Sequence, residues 1–420
     1  MKILLVIPGS GDQFFCSNCL RDNFYAQALR NAGHDVVVMP LYLPLTYPSF
    51  QADTPLFFPA TSFYVAQKFF GKGKMPHLFE KILNSPSALR WAASLSGTTS
   101  AKGLEQMTLS MIKGEGKTFE QQAQKLIHWI QTYEKPDIIH ISTSLLIGIA
   151  KVIKNHLNIP VVCSLKDEEI WLDSLDTQYA NEGWKAIEKN AKYINRFVTS
   201  SNYYKSVVLN KIPEIKEIDV IYPGVATNKY QSSVEPAVPT IGFFYRMNYE
   251  NGLDLLAQAF VNLKKEGSVP HLKLKIGGGY NHENKSFIKN ILHILKPYKQ
   301  DVIWCDHYTL ESHFHFYSNI SLICNPLRFN EAFGLYICEA FAAGKPAVMP
   351  NAGSFSEIVE DAGLLFAPNA PEHLTETLRK ILTNKDIYEK CKENALRLSK
   401  EKYNDETTVK GLLKVYDRAH

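Results

Sequence analysis

Short apolar runs alternate with longer amphipathic stretches along most of the chain. Residues 2–7, 35–39, 137–141, 160–165, 197–200 and 219–222 are rich in Val and Ile and end at turn residues. Each reads as a buried strand. Between them, 18–32, 119–133 and 145–157 repeat their apolar positions with a helical period, and Gly33 is placed to cap the first. Strand alternating with helix predicts βαβ units and a parallel sheet covered on both faces. Residues 226–240 interrupt the pattern with two prolines and two serines and predict a linker. A second series follows, with strands expected at 240–245, 272–276, 301–304, 321–324, 347–349 and 364–366. From 371 to 418 the periodicity is helical throughout. The expected organisation is a first Rossmann-like domain over 1–228, a second over 238–402, and a terminal helix over 403–420 packing back on the first domain. Ligands of such sheets bind at the carboxyl ends of the strands, so the site is expected in a cleft faced by both domains.

A length of 420 residues fits two or three domains. With 45% hydrophobic and 21% charged residues the chain can bury a core, which excludes disorder as its main state. No run reaches the roughly 18 uncharged apolar residues a membrane span needs. The first apolar run stops at Pro8-Gly9, which fits a buried strand better than a signal peptide. Seven scattered cysteines suit a reducing compartment, so the expected location is the cytoplasm. The net charge is +4, and residues 61–120 alone carry that excess. They lie in an irregular basic stretch, 42–117, that does not follow the strand–helix alternation. Phe69-Phe70-Gly71-Lys72-Gly73-Lys74 mixes aromatics with lysines, a surface suited either to solvent or to anionic lipid headgroups at the inner face of a membrane. With modest charge and no binding motif, nucleic acid is not expected as a partner.

The chemistry concentrates in Glu331-Ala-Phe-Gly-Leu-Tyr-Ile-Cys-Glu339, followed by Gly344-Lys-Pro346. Helical geometry brings two residues eight apart to nearly one face, about 12 Å apart along the axis. That spacing suits an extended ligand, and helix N-terminal amides bind phosphate. An amphipathic helix with two solvated glutamates has the same spacing.

This stretch, continued by Gly353-Ser-Phe-Ser-Glu357-Ile-Val, resembles the donor-site signature of retaining glycosyltransferases of family 4, which have the GT-B fold. Ile241-Gly-Phe-Phe-Tyr-Arg246 with Gly252-Leu-Asp, Ile276-Gly-Gly-Gly279, Asp137-Ile-Ile-His140 and Ile221-Tyr-Pro-Gly224-Val are similar to further landmarks of that family. The resemblance implies two doubly wound Rossmann-like domains and a hexosyl transfer from a nucleotide-diphosphate sugar to a hydroxyl of a glycan or lipid-linked glycan, without metal or cofactor. It implies that Glu331 holds hydroxyls of the sugar and that Phe333, Gly334 and Leu335 offer amides. Glu339 would take the ribose and Arg246 the diphosphate, with Gly278 and Asn251 in the same site. Gly9, Gly11, Cys16, Cys19, His140, Ser142 and Asp167 would face the acceptor or the reacting centre.

Three positions depart from the family. Asn251 stands where a phosphate-binding Lys is common, and Ser142 and Lys166 stand where His is common. Either Lys166 supplies the missing cation and takes a catalytic role, or it is salt-bridged to neighbouring acids. The departures leave open a catalytically degenerate binding protein, and the fold leaves open a nucleotide-sugar epimerase. A dehydrogenase is disfavoured, because Gly9-Ser-Gly11 is followed by Phe14 where the dinucleotide fingerprint needs its third glycine. Cys16-x-x-Cys19 lacks the second pair that zinc would need and reads as two small thiols beside the same strand end.

Overall fold

The computed structural model describes residues 1–9, 17–42, 57, 104–230, 236–305 and 309–420. Gly11, Cys16 and the basic stretch from 43 to 103 (residue 57 apart) lie outside the described residues, as does the side chain of Cys19. The chain divides into two compact units. The first runs to Ile221 and takes in Val409–His420; the second is Tyr222–Thr408.

The first unit contains β1 (Lys2–Ile7), α1 (Ser17–Asn31), β2 (Asp35–Pro40), α2 (Glu105–Lys113), α3 (Lys117–Trp129), β3 (Ile138–Ile141), α4 (Gly148–His156), β4 (Val161–Leu165), α5 (Glu168–Leu172), α6 (Thr177–Ala191), β5 (Arg196–Thr199), α7 (Asn202–Lys211) and β6 (Ile218–Val220). All six strands are parallel, in the order β2-β1-β3-β4-β5-β6. Ile3 to Ile7 are buried along their whole length. A strand covered on both faces has no polar side, which is why the run is continuously apolar rather than alternating. Ile3, Leu5 and Ile7 share a core with Tyr25 and Leu29 of α1 and with Leu412, Val415 and Tyr416 from the end of the chain.

The irregular stretch expected over 42–117 is regular in its last part. There α2 turns Thr108, Leu109, Met111 and Ile112 inward. Asn190 of α6 donates to the Ile112 carbonyl at 2.6 Å. Gly114 ends this helix in the left-handed region (φ 66°), and a Cβ on it would collide with the backbone of Gly148.

The second unit contains β7 (Thr240–Phe244), α8 (Leu253–Glu266), β8 (Lys273–Gly277), α9 (Lys285–Leu295), β9 (Val302–Trp304), α10 (Leu310–Phe316), β10 (Leu322–Cys324), α11 (Leu335–Ala342), β11 (Ala347–Pro350), α12 (Phe355–Val359), β12 (Gly363–Phe366), α13 (Pro371–Thr383) and α14 (Lys385–Glu401). Its parallel sheet has the order β12-β11-β10-β7-β8-β9. The last helix, α15 (Asp405–Ala419), begins in the second unit and delivers Val409–Ala419 to the first unit's core.

The helical end of the chain, from 371 onward, consists of three helices. Asn384 adopts an extended backbone (φ −105°, ψ 102°), and its side chain accepts from the Ile387 amide at 3.1 Å, starting α14 afresh. Gly or Pro would have marked this break in the sequence; a capping Asn inside a periodic run marks it weakly.

Candidate functional site

In each sheet the chain leaves one central strand in one direction and later returns to that strand's other side. Ligands of open α/β sheets bind at the carboxyl ends of the strands at this reversal. In the second unit the reversal lies between β7 and β10, and in the first between β1 and β3.

Arg246 follows β7, and Glu331 lies in the loop after β10, so both border the second unit's reversal. Asn325 fastens the two strand ends. Its Oδ1 accepts from the Phe244 amide and its Nδ2 donates to the Phe244 carbonyl, each at 3.1 Å. Glu331 and Glu339 are both 2% exposed, which rules out two solvated glutamates. Glu331 precedes α11 by four residues, so helical arithmetic places Glu339 but not Glu331.

Buried carboxylates need hydrogen-bond donors, and tyrosines supply them. Tyr245 and Tyr336 donate to the two oxygens of Glu331 at 2.8 and 3.0 Å. Tyr230 and Tyr317 donate to the two oxygens of Glu339 at 2.9 and 2.7 Å, and His313 Nε2 lies 2.9 Å from Oε2. The backbone of Glu331 is held as well: its carbonyl accepts from the Ser354 amide and hydroxyl at 3.1 and 2.9 Å. Gly353, left-handed at φ 57°, passes so close that a Cβ would sit 2.8 Å from the Glu331 nitrogen. Gly334 caps α11, and Phe333 and Leu335 on either side are buried.

The loop after β7 is braced from several sides. Asn251 is buried; its side chain donates to the Arg246 carbonyl at 2.6 Å, and its own amide donates to Asn248 Oδ1 at 2.9 Å. Where the family commonly has a phosphate cation, this chain has a structural amide. Gly252 (φ 73°) packs against the Pro326 carbonyl, where a Cβ would clash. Gly278 (φ 106°) leaves the same kind of room for the Tyr245 backbone. Arg328 forks onto Asp254 at 2.7 and 2.8 Å, donates to the Tyr249 carbonyl and lies 3.9 Å above the Tyr249 ring. Arg246 is half-buried; burial lowers its pKa, while Glu283 and Glu250 raise it. A guanidinium stays charged all the same.

In the first unit the expected residues fall into two groups. His140 on β3 is buried between Tyr416 (Nδ1 to Oη, 2.7 Å) and Ser164 (Nε2 to Oγ, 2.8 Å). Burial and the nearby Lys166 and Arg21 charges push its pKa down to about 3, so the imidazole is neutral. With both nitrogens engaged, it ties β3 to β4 and α15. Lys166 is salt-bridged, but to Asp22 of α1 and not to the acids that follow it in sequence: Nζ lies 2.6 and 2.7 Å from the Asp22 oxygens. Burial lowers its pKa to about 8 against the pull of Asp22. Asp167, left-handed at φ 53°, accepts from Asn18 at 3.1 Å. Ser142 is buried just past β3, and Gly9 turns the chain past β1 at φ 99°. Glu168 is consumed by Thr143, Ser144, Lys166 and Tyr204. The Tyr204 hydroxyl reaches Glu169 too, at 2.6 Å. One hydroxyl proton cannot serve two carboxylates, and burial beside Asp167 pushes Glu169 up to about 7.

The tyrosines and Asn325 escaped the sequence reading. Tyr230 even falls in the predicted linker, yet it is buried against Phe314 and Tyr317. Its one signal was an aromatic amid polar residues. Among the described residues no cluster of three or more His, Cys, Asp or Glu is placed to hold a metal ion.

Residues 227–398 match the family model described as Glycosyl transferases group 1, and residues 111–229 the model described as Glycosyltransferase Family 4. An uncharacterized glycosyltransferase of Methanocaldococcus jannaschii is 24% identical over 267 residues, 60% of this chain and 65% of that protein. The chain thus spans just under two thirds of that relative. Among solved structures, sucrose-phosphate synthase from Thermosynechococcus elongatus superposes with a TM-score of 0.72 at 14% identity, over 100% of this chain and 99% of that one. Anabaena HepE in complex with UDP gives 0.69 at 15% identity, over 99% and 100%. These likenesses establish the GT-B fold of two Rossmann-like domains, and the two family models place a likeness to glycosyltransferases in residues 111–229 and 227–398.

Proposed function

We propose that this protein transfers a hexosyl group from a nucleotide-diphosphate sugar to an acceptor hydroxyl with retention at the anomeric carbon. The observation that carries the reading is the pair of buried glutamates beside the β7–β10 reversal, each fixed by tyrosine hydroxyls before any ligand arrives. Preset acceptors suit a ligand rich in hydroxyls, and a transfer that depends on positioning gains most from such order. In this reading Glu331 takes sugar hydroxyls, Glu339 the ribose, and Arg246 the diphosphate as it leaves. The amides of 333–335 and the open backbone at Gly278 lie alongside. The glycosidic bond to the diphosphate breaks as the acceptor oxygen bonds to the same carbon, and the acceptor proton passes to the departing phosphate. Asn251 shapes the Arg246 loop and contributes no charge; Lys166 holds α1 in place. HepE, a structural neighbour, was crystallised with UDP and with UDP-glucose, which supports a uridine donor. The reading needs neither metal nor cofactor. It takes a glycan or lipid-linked glycan as acceptor, with the basic stretch resting on the inner face of a membrane. Among the described residues no helix is long and apolar enough to cross one.

The test is Glu331→Gln with a panel of nucleotide sugars. Transfer should fall by about 10³-fold or more while the melting temperature stays within a few degrees, because an interaction made at the reacting sugar is lost. Full transfer by the variant would remove Glu331 from the site. The reduced cation count favours one second reading, a binding protein without turnover; calorimetry showing nucleotide binding and no product from any donor would support it.

A further inference from the structure

Arg21 is the anomaly of the first unit. It is 5% exposed, yet its Nε and Nη2 have no hydrogen-bond partner among the described residues. Its neighbour Asp22 accepts from Lys166 at 2.6 and 2.7 Å and makes no hydrogen bond to Arg21 Nε or Nη2. Its charge is felt by His140, which is neutral, and by Lys166 and Tyr25. Arg21 and Lys166 are matched in number by Asp22 and Glu168, but both carboxylates are bonded elsewhere and the Arg21 Nε–Nη2 edge has no acceptor among the described residues. A guanidinium cannot escape by losing its proton, and buried donors without acceptors are unfavourable. The position makes this sharper. Arg21 lies in the second turn of α1, a helix with no acidic residue in its first turn, where the helix dipole already favours anions.

The surroundings are those of a ligand site. α1 follows β1, and Ser142 follows β3, so both border the first unit's reversal. The Ser142 hydroxyl is buried and also has no partner among the described residues. Asn18 to Asp167 and Asp22 to Lys166 fasten α1 to the end of β4, so the guanidinium is held on a rigid edge.

We propose that Arg21, assisted by the Ser142 hydroxyl, binds an oxyanion carried by the acceptor, a phosphate or carboxylate on a sugar. The planar fork of Arg matches two oxygens of either group, and a hydroxyl can donate to one more. The inference rests on the transferase reading only in naming the ligand an acceptor.

The test is thermal unfolding of the full chain at constant ionic strength with saturating UDP, adding glucose 6-phosphate, glucuronate or glucose. At least one anionic sugar should raise the melting temperature and glucose should not; which anion acts tells phosphate from carboxylate. Arg21→Met should melt no lower than wild type without sugar and should bind the active anion at least tenfold more weakly. Arg21→Lys, which keeps the charge and loses the fork, should fold and also bind more weakly, so the test survives if the Met variant does not fold. Equal response to glucose, unchanged anion binding by both variants, or a wild type indifferent to both anions would overturn the proposal. Failure of UDP itself to bind would instead count against the transferase reading, because Arg21 and Arg246 belong to different units.

Discussion

The two sheet reversals solve opposite electrostatic problems. Beside β7 and β10 the buried charges are carboxylates, and each is met by donors from its own unit: Tyr245 and Tyr336 for Glu331, Tyr230 and Tyr317 for Glu339. Beside β1 and β3 it is donors that go unmet: Arg21 keeps two buried nitrogens without partners among the described residues. A carboxylate has about four lone-pair positions, so it can be held by tyrosines and still accept from a ligand. A guanidinium edge left bare is best completed by the two oxygens of an anion. The second unit thus has its buried acceptors met by its own donors, while the first leaves buried donors of Arg21 unmet among the described residues.

The comparison can be broken first at Asn325. Asn325→Ala strips both hydrogen bonds between the ends of β7 and β10 and leaves buried groups unmet. The second unit should lose about 2–3 kcal/mol in urea unfolding, and nucleotide binding should weaken with it. An unchanged midpoint would mean that the strand ends need no fastening. A smaller effect is expected at the tyrosines. Tyr317→Phe or Tyr230→Phe keeps the ring and removes one donor to Glu339. UDP affinity by calorimetry should fall by roughly five- to tenfold, on the order of 1 kcal/mol. Tighter binding would mean that these hydroxyls compete with the ligand rather than prepare the carboxylate.

Two pH slopes in the first unit have opposite signs. His140 has a native pKa of about 3, far below its ordinary value. Its unfolded imidazole takes a proton that the native one refuses, so stability falls as pH drops from about 6.5 toward 3. Glu169 has a native pKa of about 7, above the ordinary carboxylate range. Its contribution is full at pH below about 4.5 and is lost as pH rises through 7. His140→Gln should flatten the acid loss, and Glu169→Gln should remove the decline toward neutrality. Identical slopes in either variant would show that the residue is not the titrating group.

The strand–helix alternation and the glutamate spacing were readable because both are local. A buried parallel strand must be apolar throughout, and the Glu331 motif lies within nine residues. What holds those glutamates was not readable, because Tyr245 and Glu331 are 86 positions apart and Tyr230 and Glu339 are 109 apart. A tyrosine in an apolar run looks like core until its hydroxyl has an address. The same holds for His140, whose partners are Ser164 and, 276 positions away, Tyr416. Asn251 and Lys166 could be recognised as departures from a family pattern. That one braces a loop and the other is neutralised by Asp22 follows only from packing.

The return of α15 to the first unit has a consequence for synthesis. Leu412, Val415, Tyr416 and Ala419 complete the core that Ile3, Leu5 and Ile7 begin. A ribosome makes the start of that core first and its end last, so the amino-terminal sheet waits for the whole second unit before its apolar face is closed. Loop closure over such a distance is slow compared with local assembly. The order of folding then reverses the order of translation, with residues 222–408 able to finish before the first unit.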